Sequence, residues 1–279
     1  MNGLSGAPRR FDPIRGEARV VSIVDEGGPN RRLLLAVPGW PGFEPGQFVM
    51  LSPGGLGSVP RRDPLLPRPM AVYREHRSNR ERHIEILFKV HGRGTALMAD
   101  VVAGSRMRVV GPLGTPFPDP QEGERAILVA GGTGIASVYE LASGLSSRGV
   151  SVQVLLGARS AGDLMGEADF AALDAPLRVA TEDGSRGQRG LVTALLTEAL
   201  DPSGPARVYA CGPTPMMAAA AKIAAERDVP CWVSLENPMA CGFGVCLGCA
   251  APLREGGFAL VCRDGPVLPA ESVAWEGLA

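Results

Sequence analysis

All six cysteines of this 279-residue chain fall in its last quarter, at Cys211, Cys231, Cys241, Cys246, Cys249 and Cys262. The last four read C-x4-C-x2-C-x12-C. A secreted disulfide framework spreads its cysteines through a short chain; clustered thiols in a long chain bind metal or do redox chemistry. Three of the four lie in Met239-Ala-Cys-Gly-Phe-Gly-Val-Cys-Leu-Gly-Cys249. Gly242, Gly244 and Gly248 free the backbone to wrap a ligand with its N–H groups turned inward, and such donors stabilise anionic sulfur. An x4-then-x2 spacing with a distant fourth thiolate is the plant-type [2Fe–2S] arrangement. Structural zinc pairs its cysteines closely on both sides, and Cys262 has no near partner, so the spacing favours iron–sulfur over zinc. Cys231, opening a strand, reads as core.

Composition narrows the remaining classes. A hydrophobic fraction of 45% with 20% charged residues excludes a disordered chain. Twenty-eight basic residues against 29 acidic ones give a net charge of -1, which predicts no nucleic-acid surface. No run approaches the about 18 apolar residues of a membrane span. Arg9, Arg10 and Asp12, with no apolar run behind them, do not read as a signal peptide. The expectation is a soluble cytoplasmic protein with no membrane contact.

The rhythm changes along the chain. Glu17–Val24, Arg32–Val37, Gln47–Ser52, Pro69–Tyr73, His83–Lys89 and Arg106–Val110 read as six short strands of a small antiparallel barrel, with a helix at Ala96–Val102 and a Gly/Pro-rich loop at Pro53–Pro67. From Arg125 to Ser234, strands at Arg125–Ala130, Val152–Gly157, Leu177–Thr181, Arg207–Cys211 and Cys231–Ser234 alternate with helices at Ile135–Arg148, Glu167–Leu173, Val192–Leu200 and Pro215–Arg227. That alternation predicts a doubly wound α/β unit with a parallel sheet. From Leu235 onward only Gly, Cys and turns remain, too little to bury a core, so something other than packing is expected to hold this tail together. The expected domains are a barrel over 13–116, an α/β domain over 122–234 and a cluster domain over 235–279.

Several short motifs bear on ligands. In Arg68-Pro-Met-Ala-Val-Tyr-Arg74, an Arg fixed before Pro can grip a diphosphate bidentately, while the Met70–Val72 backbone can meet a flavin edge; the bland alternative is a turn entering a strand. His91-Gly-Arg-Gly-Thr95 opens a helix, a natural anion site, or an ordinary strand–helix turn. Gly131-Gly-Thr-Gly134 follows a strand at the edge where doubly wound folds bind ligands, although it is neither G-x-G-x-x-G nor a Walker A loop. Cys211-Gly-Pro213 ends another strand facing the same crevice, unless its thiol is simply core. Thr181-Glu-Asp-Gly-Ser185 either meets a ribose or is a polar turn. His76, His83 and His91 form no triad and read as solvated loop residues.

Pro45-Gly-Gln-Phe48, Arg68-Pro-Met-Ala71, Gly92-Arg-Gly-Thr95, Gly111-Pro-Leu-Gly114, Gly131-Gly-Thr-Gly134 and Cys211-Gly-Pro213 occur in that order. The series resembles the ferredoxin–NADP reductase superfamily. Ser234-Leu-Glu236 before the cysteine loop, and Val261-Cys-Arg-Asp-Gly-Pro266 after it, narrow the resemblance to the electron-transfer subunits of the heteromeric (class 1B) dihydroorotate dehydrogenases. The resemblance implies FAD on the barrel, one [2Fe–2S] cluster in the tail, and an FMN-containing dihydroorotate dehydrogenase catalytic subunit as partner in a heterotetramer. Electrons would pass through the cluster and FAD to NAD+. By position it places FAD on Arg68, Pro69, Met70, Ala71, Leu87, Phe88, Lys89, Gly94 and Thr95. It puts the cluster on Cys241, Cys246, Cys249 and Cys262. NAD(H) is expected along Gly131, Gly132, Thr133 and Gly134, with Cys211 near the nicotinamide.

No residue of the chain reads as a general acid or base. Ala71 stands where that family usually has Ser or Thr, which retunes the flavin rather than abolishing its binding. Asn237-Pro238 replaces a commonly polar or charged pair, a change expected on the partner-facing surface. Two other readings stand beside this one. One is the small subunit of an NADH-dependent ferredoxin:NADP oxidoreductase or sulfide dehydrogenase. The other is a flavin- and metal-bearing interaction module without turnover. The ribose-side residues do not decide between NADH and NADPH.

Overall fold

A computed structural model describes residues 11–53, 65–77, 81–200 and 204–278; most of the predicted 53–67 loop lies outside them. The first sheet is built by alternation. In β1 (Ile14–Asp25), Ala18 and Val20 turn inward while Glu17 and Arg19 face solvent. β2 (Asn30–Ala36), β3 (Phe48–Ser52), β4 (Arg68–Ala71), β5 (Arg74–Arg77), β6 (Arg82–Lys89) and β7 (Arg106–Leu113) complete an antiparallel sheet in the order β4-β3-β7-β1-β2-β6-β5. Its two edge strands are separated by only Val72 and Tyr73. The Val72 N–H donates to the Gln47 carbonyl at 3.4 Å, and the Tyr73 N–H to the Glu85 carbonyl on β6 at 2.9 Å. These two bonds draw the edges together and curl the sheet into a barrel around Val20, Leu33, Leu35, Val49, Ile84, Ile86 and Val109.

The barrel has seven strands where six were expected. β5 reads Arg-Glu-His-Arg and carries no apolar alternation, so pairing with β6 and ion pairs of Glu75 with Arg77 and Arg82 make it a strand. His76 and His83 accordingly face each other across β5 and β6 rather than lying in loops. Helix α1 (Gly92–Ala99) starts four residues before the expected Ala96. Its two early glycines hide the start from a propensity reading. The Thr95 hydroxyl organises it, accepting the His91 N–H at 2.7 Å and donating to the His91 carbonyl at 2.8 Å.

The second half alternates β8 (Arg125–Gly131), α2 (Ile135–Ser147), β9 (Val152–Ala158), α3 (Glu167–Ala171), β10 (Leu177–Thr181), a two-residue β11 (Gln188–Arg189), α4 (Val192–Leu200), β12 (Ala206–Cys211), α5 (Thr214–Ala225) and β13 (Cys231–Ser234). Along β8, Ile127 and Val129 pack under α4 and α5, while Ala126, Leu128 and Ala130 pack under α2 and α3. This two-sided burial is why the strands read as continuous apolar runs.

After β13 the chain forms a hairpin, β14 (Ala250–Pro252) with β15 (Phe258–Leu260), then β16 (Val267–Pro269). β16 adds antiparallel to β13, giving the sheet order β11-β10-β9-β8-β12-β13-β16, otherwise parallel. Ala251, Ala259, Leu260, Val261, Leu268 and Val273 belong to the same buried cluster as α4 and α5, joined by Phe48, Met50 and Leu113 of the barrel. Packing against both other units therefore helps to hold the tail, contrary to the expectation that packing could not.

A half-buried ionic cluster ties barrel to α/β unit. Arg32 of β2 bonds Glu26, Glu85 of β6 at 3.1 Å and Asp169 of α3 at 2.6 Å. Asp169 also takes Arg74 at 2.9 Å and the Tyr73 hydroxyl at 2.8 Å. Lys89 reaches Asp163, just after β9, at 2.6 Å.

Candidate functional site

Two cavities open at the seam between the units. The first, about 310 Å³, has walls from Pro69, Met70 and Ala71 of β4, from Leu87, Phe88 and Lys89 of β6, and from Thr95 of α1. Opposite them stand Thr133, Ser137, Glu236, Asn237 and Met239. β4 is an edge strand with no strand on its far side among the described residues, so its outer backbone groups are available to a ligand edge. Arg68 does not line the cavity, but it lies directly over the start of α1: a Cβ on Gly94 would strike its guanidinium. The fold thus joins the two anion motifs, a planar cationic fork and the free N–H groups of a helix start. The volume falls at the lower end of the about 300–1,000 Å³ usual for ligand pockets and its walls are mostly apolar, so the residues present fit a flat ring.

The second cavity, about 470 Å³, lies outside the carboxyl ends of β8, β9, β10 and β12. Gly131, Gly132 and Thr133 form part of its wall, with Gly157, Ala158, Arg159, Glu182, Pro213 and Met216. This is where a doubly wound sheet takes a nucleotide. Gly134 is buried beneath, against the backbone of Cys211. Cys211 lines neither cavity: its thiol is fully buried, donates to the Ser234 carbonyl at 3.4 Å, and is pushed up to about 12 by burial. It stands one layer behind the wall, against Ser137.

Lys89, Thr133 and Glu236 belong to both cavities and mark their junction. The Thr133 hydroxyl lies 3.4 Å from both Glu236 carboxylate oxygens. Glu236 opens onto the cavities yet is hemmed in by protein, and that desolvation holds its carboxyl above the usual carboxylate range. In the sequence Glu236 stands out only within the Ser234-Leu-Glu236 motif and Asn237 only as a departure expected on the partner-facing surface; the structure places both, with Met239, in the wall of the first cavity.

The four thiols gather as two pairs. Cys249 and Cys262 are buried with sulfurs 3.2 Å apart, while Cys241 accepts a hydrogen bond from the thiol of the exposed Cys246. Among the described residues no three metal-ligating side chains surround a single point. Two pairs suit a two-iron centre, which takes two thiolates on each iron. Burial acts to raise the Cys241 thiol, but backbone N–H groups of Phe243, Cys246 and Val245 outweigh it and bring it down to about 6. Burial and the neighbouring Cys249 push Cys262 up to about 12, against a hydrogen bond from the Gly244 N–H at 3.1 Å. The loop needs Gly242 for a close approach, since at its φ of 84° a Cβ would strike Met50 of β3. Inward N–H donors to Cys241, Cys249 and Cys262 fit an anionic iron–sulfur cluster.

Known proteins show the same construction. Residues 236–274 match the iron–sulfur cluster binding domain of dihydroorotate dehydrogenase B, and residues 128–222 the oxidoreductase NAD-binding domain. A solved structure of an NADH-dependent reduced ferredoxin-NADP oxidoreductase superimposes with a TM-score of 0.81 at 28% identity, covering 98% of this chain and 92% of its own. The ferredoxin reductase in carbazole 1,9a-dioxygenase shares the fold, with a TM-score of 0.67 at 21% identity, over 79% of this chain and 68% of its own. Barrel, nucleotide sheet and thiol tail together define an oxidoreductase of the ferredoxin-reductase fold that carries an iron–sulfur domain. The dihydroorotate dehydrogenase B (NAD(+)) electron transfer subunit of Desulforamulus reducens is 37% identical over 83% of this chain and 87% of its own length; that of Bacillus caldolyticus is 39% identical over 82% and 86%. The chain belongs to this family of electron transfer subunits, and a subunit of that kind works with a catalytic partner. No helix among the described residues is long and apolar enough to cross a membrane.

Proposed function

We propose that the chain carries electrons between an FMN-containing dihydroorotate dehydrogenase subunit and NAD+ in pyrimidine biosynthesis, in a cytoplasmic heterotetramer. The observation that carries this reading is the continuity of the three sites. Asn237 and Met239 form part of the first cavity's wall, and the thiol loop begins two residues further on at Cys241; the second cavity adjoins the first at Lys89, Thr133 and Glu236. FAD in the first cavity supplies what side chains cannot, exchanging hydride with nicotinamide and single electrons with a [2Fe–2S] cluster.

The residues provide position and charge. Arg68 and the α1 start, with Gly94 and Thr95, hold the diphosphate; Pro69, Met70 and Ala71 present a backbone edge to the ring; Leu87, Phe88 and Lys89 close its other side. Gly131, Gly132 and Thr133 receive the diphosphate of NAD(H), with buried Gly134 behind them, and buried Cys211 backs the nicotinamide wall. Cys241, Cys246, Cys249 and Cys262 hold the cluster. Around Cys246 the loop exposes Phe243 at 54%, Val245 at 73% and Leu247 at 62%. Such an apolar patch is suited to a subunit that must bring its own redox centre near the cluster.

The test is anaerobic copurification from the native host followed by assay with dihydroorotate and NAD+. Orotate and NADH in equal amounts are expected. A partner that instead yields NADPH from reduced ferredoxin supports the second reading, which the solved oxidoreductase structure favours by covering nearly the whole chain.

A further inference from the structure

The nucleoside end of the second cavity is polar, and its arginine is already paired. The carboxyl ends of β9 and β10 are stitched together there: the Glu182 N–H donates to the Ala158 carbonyl at 3.1 Å, and the Asp183 N–H to the Arg159 carbonyl at 3.2 Å. Arg159 and Glu182 are therefore neighbours, and both line the cavity. Gly190 donates to the Thr181 carbonyl at 2.9 Å, which brings Leu191, 61% exposed in the cavity wall, beside Glu182. An apolar platform next to a carboxylate is what an adenosine needs, with its base on the first and its ribose at the second. Arg159 is the cation nearest this carboxylate along the cavity wall, and it is held by Asp163 at 3.1 Å. Asp163 in turn is fixed by Lys89 of the barrel at 2.6 Å.

We propose that Glu182 and Asp163 are the specificity determinants that make the second cavity select NAD(H) over NADP(H). Glu182 accepts the adenosine 2′-hydroxyl and repels a 2′-phosphate. Asp163 retains Arg159, the side chain that would otherwise neutralise that phosphate. The assignment rests on the second cavity being the dinucleotide site. Two carboxylates share the work because either change alone leaves one obstacle: without Glu182 the arginine is still held, and without Asp163 the freed arginine still meets Glu182. A 2′-phosphate brings about 1.5–2 negative charges at pH 7 and needs a free guanidinium to offset them.

Calorimetric titration of the FAD- and cluster-loaded protein with 5′-AMP and with 2′,5′-ADP separates the two ideas. The unaltered protein is expected to bind 5′-AMP at least ten times more tightly than 2′,5′-ADP. Glu182→Gln should tighten 2′,5′-ADP about tenfold while weakening 5′-AMP a few-fold. Adding Asp163→Asn to it should tighten 2′,5′-ADP about tenfold more. Steady-state use of NADP+ relative to NAD+ should rise in the same order. If 5′-AMP and 2′,5′-ADP bind the unaltered protein equally, or both respond equally to Glu182→Gln, the specificity assignment is overturned. If neither binds and 5′-AMP fails to compete with NADH, the cavity reading itself falls.

Discussion

Replacing Asp169 by Ala removes the acceptor shared by Arg32, Arg74 and Tyr73, at 2.6, 2.9 and 2.8 Å. The residue sits on α3, while its three donors come from the barrel, so the bonds act between units rather than within one. Taking one partner from a fully buried ion pair costs about 3–5 kcal/mol. Here the side chains of Arg32 and Asp169 keep 17% and 21% of their exposure, and Arg32 retains Glu26 and Glu85, so water and the remaining carboxylates recover part of the loss. With that discount the expected cost is about 2–3 kcal/mol, or a fall in melting temperature of about 4–9 °C for a chain of this size. Burial alone would raise the Asp169 carboxyl, but hydrogen bonds from Arg32, Tyr73 and Arg74 outweigh it and hold it below the ordinary value. A depressed carboxylate stabilises the fold above its unfolded-state pKa of about 3.9 and loses that contribution as pH falls through the folded value. Thermal melts of both proteins from pH 8 to pH 3.5 should show a constant gap down to about pH 5 and a shrinking one below about pH 4. A gap under 1 °C at pH 7, or one that widens on acidification, refutes the assignment of Asp169 as the tie between the units.

Arg68→Ala should weaken FAD binding by about tenfold or more, since it deletes a charge-assisted contact worth about 1.5–3 kcal/mol; unchanged affinity in a flavin titration removes Arg68 from the site. Gly94→Ala should have a similar effect, because its methyl displaces the same guanidinium. Cys246→Ser should lower bound iron and bleach the cluster's visible absorption while leaving FAD in place, measured by metal analysis and flavin extraction. Cys211→Ala should leave FAD and iron content at normal levels, because the thiol touches neither cavity, and should cost stability by about 1 kcal/mol for a small buried group; loss of flavin would show that the thiol reaches the ligand.

What the amino-acid order alone determined is whatever depends on neighbours in the chain. The four thiols were legible because three lie within nine positions and their spacing is itself a chemical constraint. The α/β rhythm was legible because each element buries its own apolar face. β5 was hidden because its polar residues become a strand only by pairing with β6, and β16 because three residues gain strand character only at the open edge of β13. The convergence of Lys89, Asp163, Glu182 and Glu236 on adjoining cavities had no local signature, for these residues are distant in the chain and the signs of their charges say nothing of their neighbours. Only the tertiary structure decided which carboxylate faces which cation, because electrostatic coupling depends on separation and burial in space, and the fold sets both.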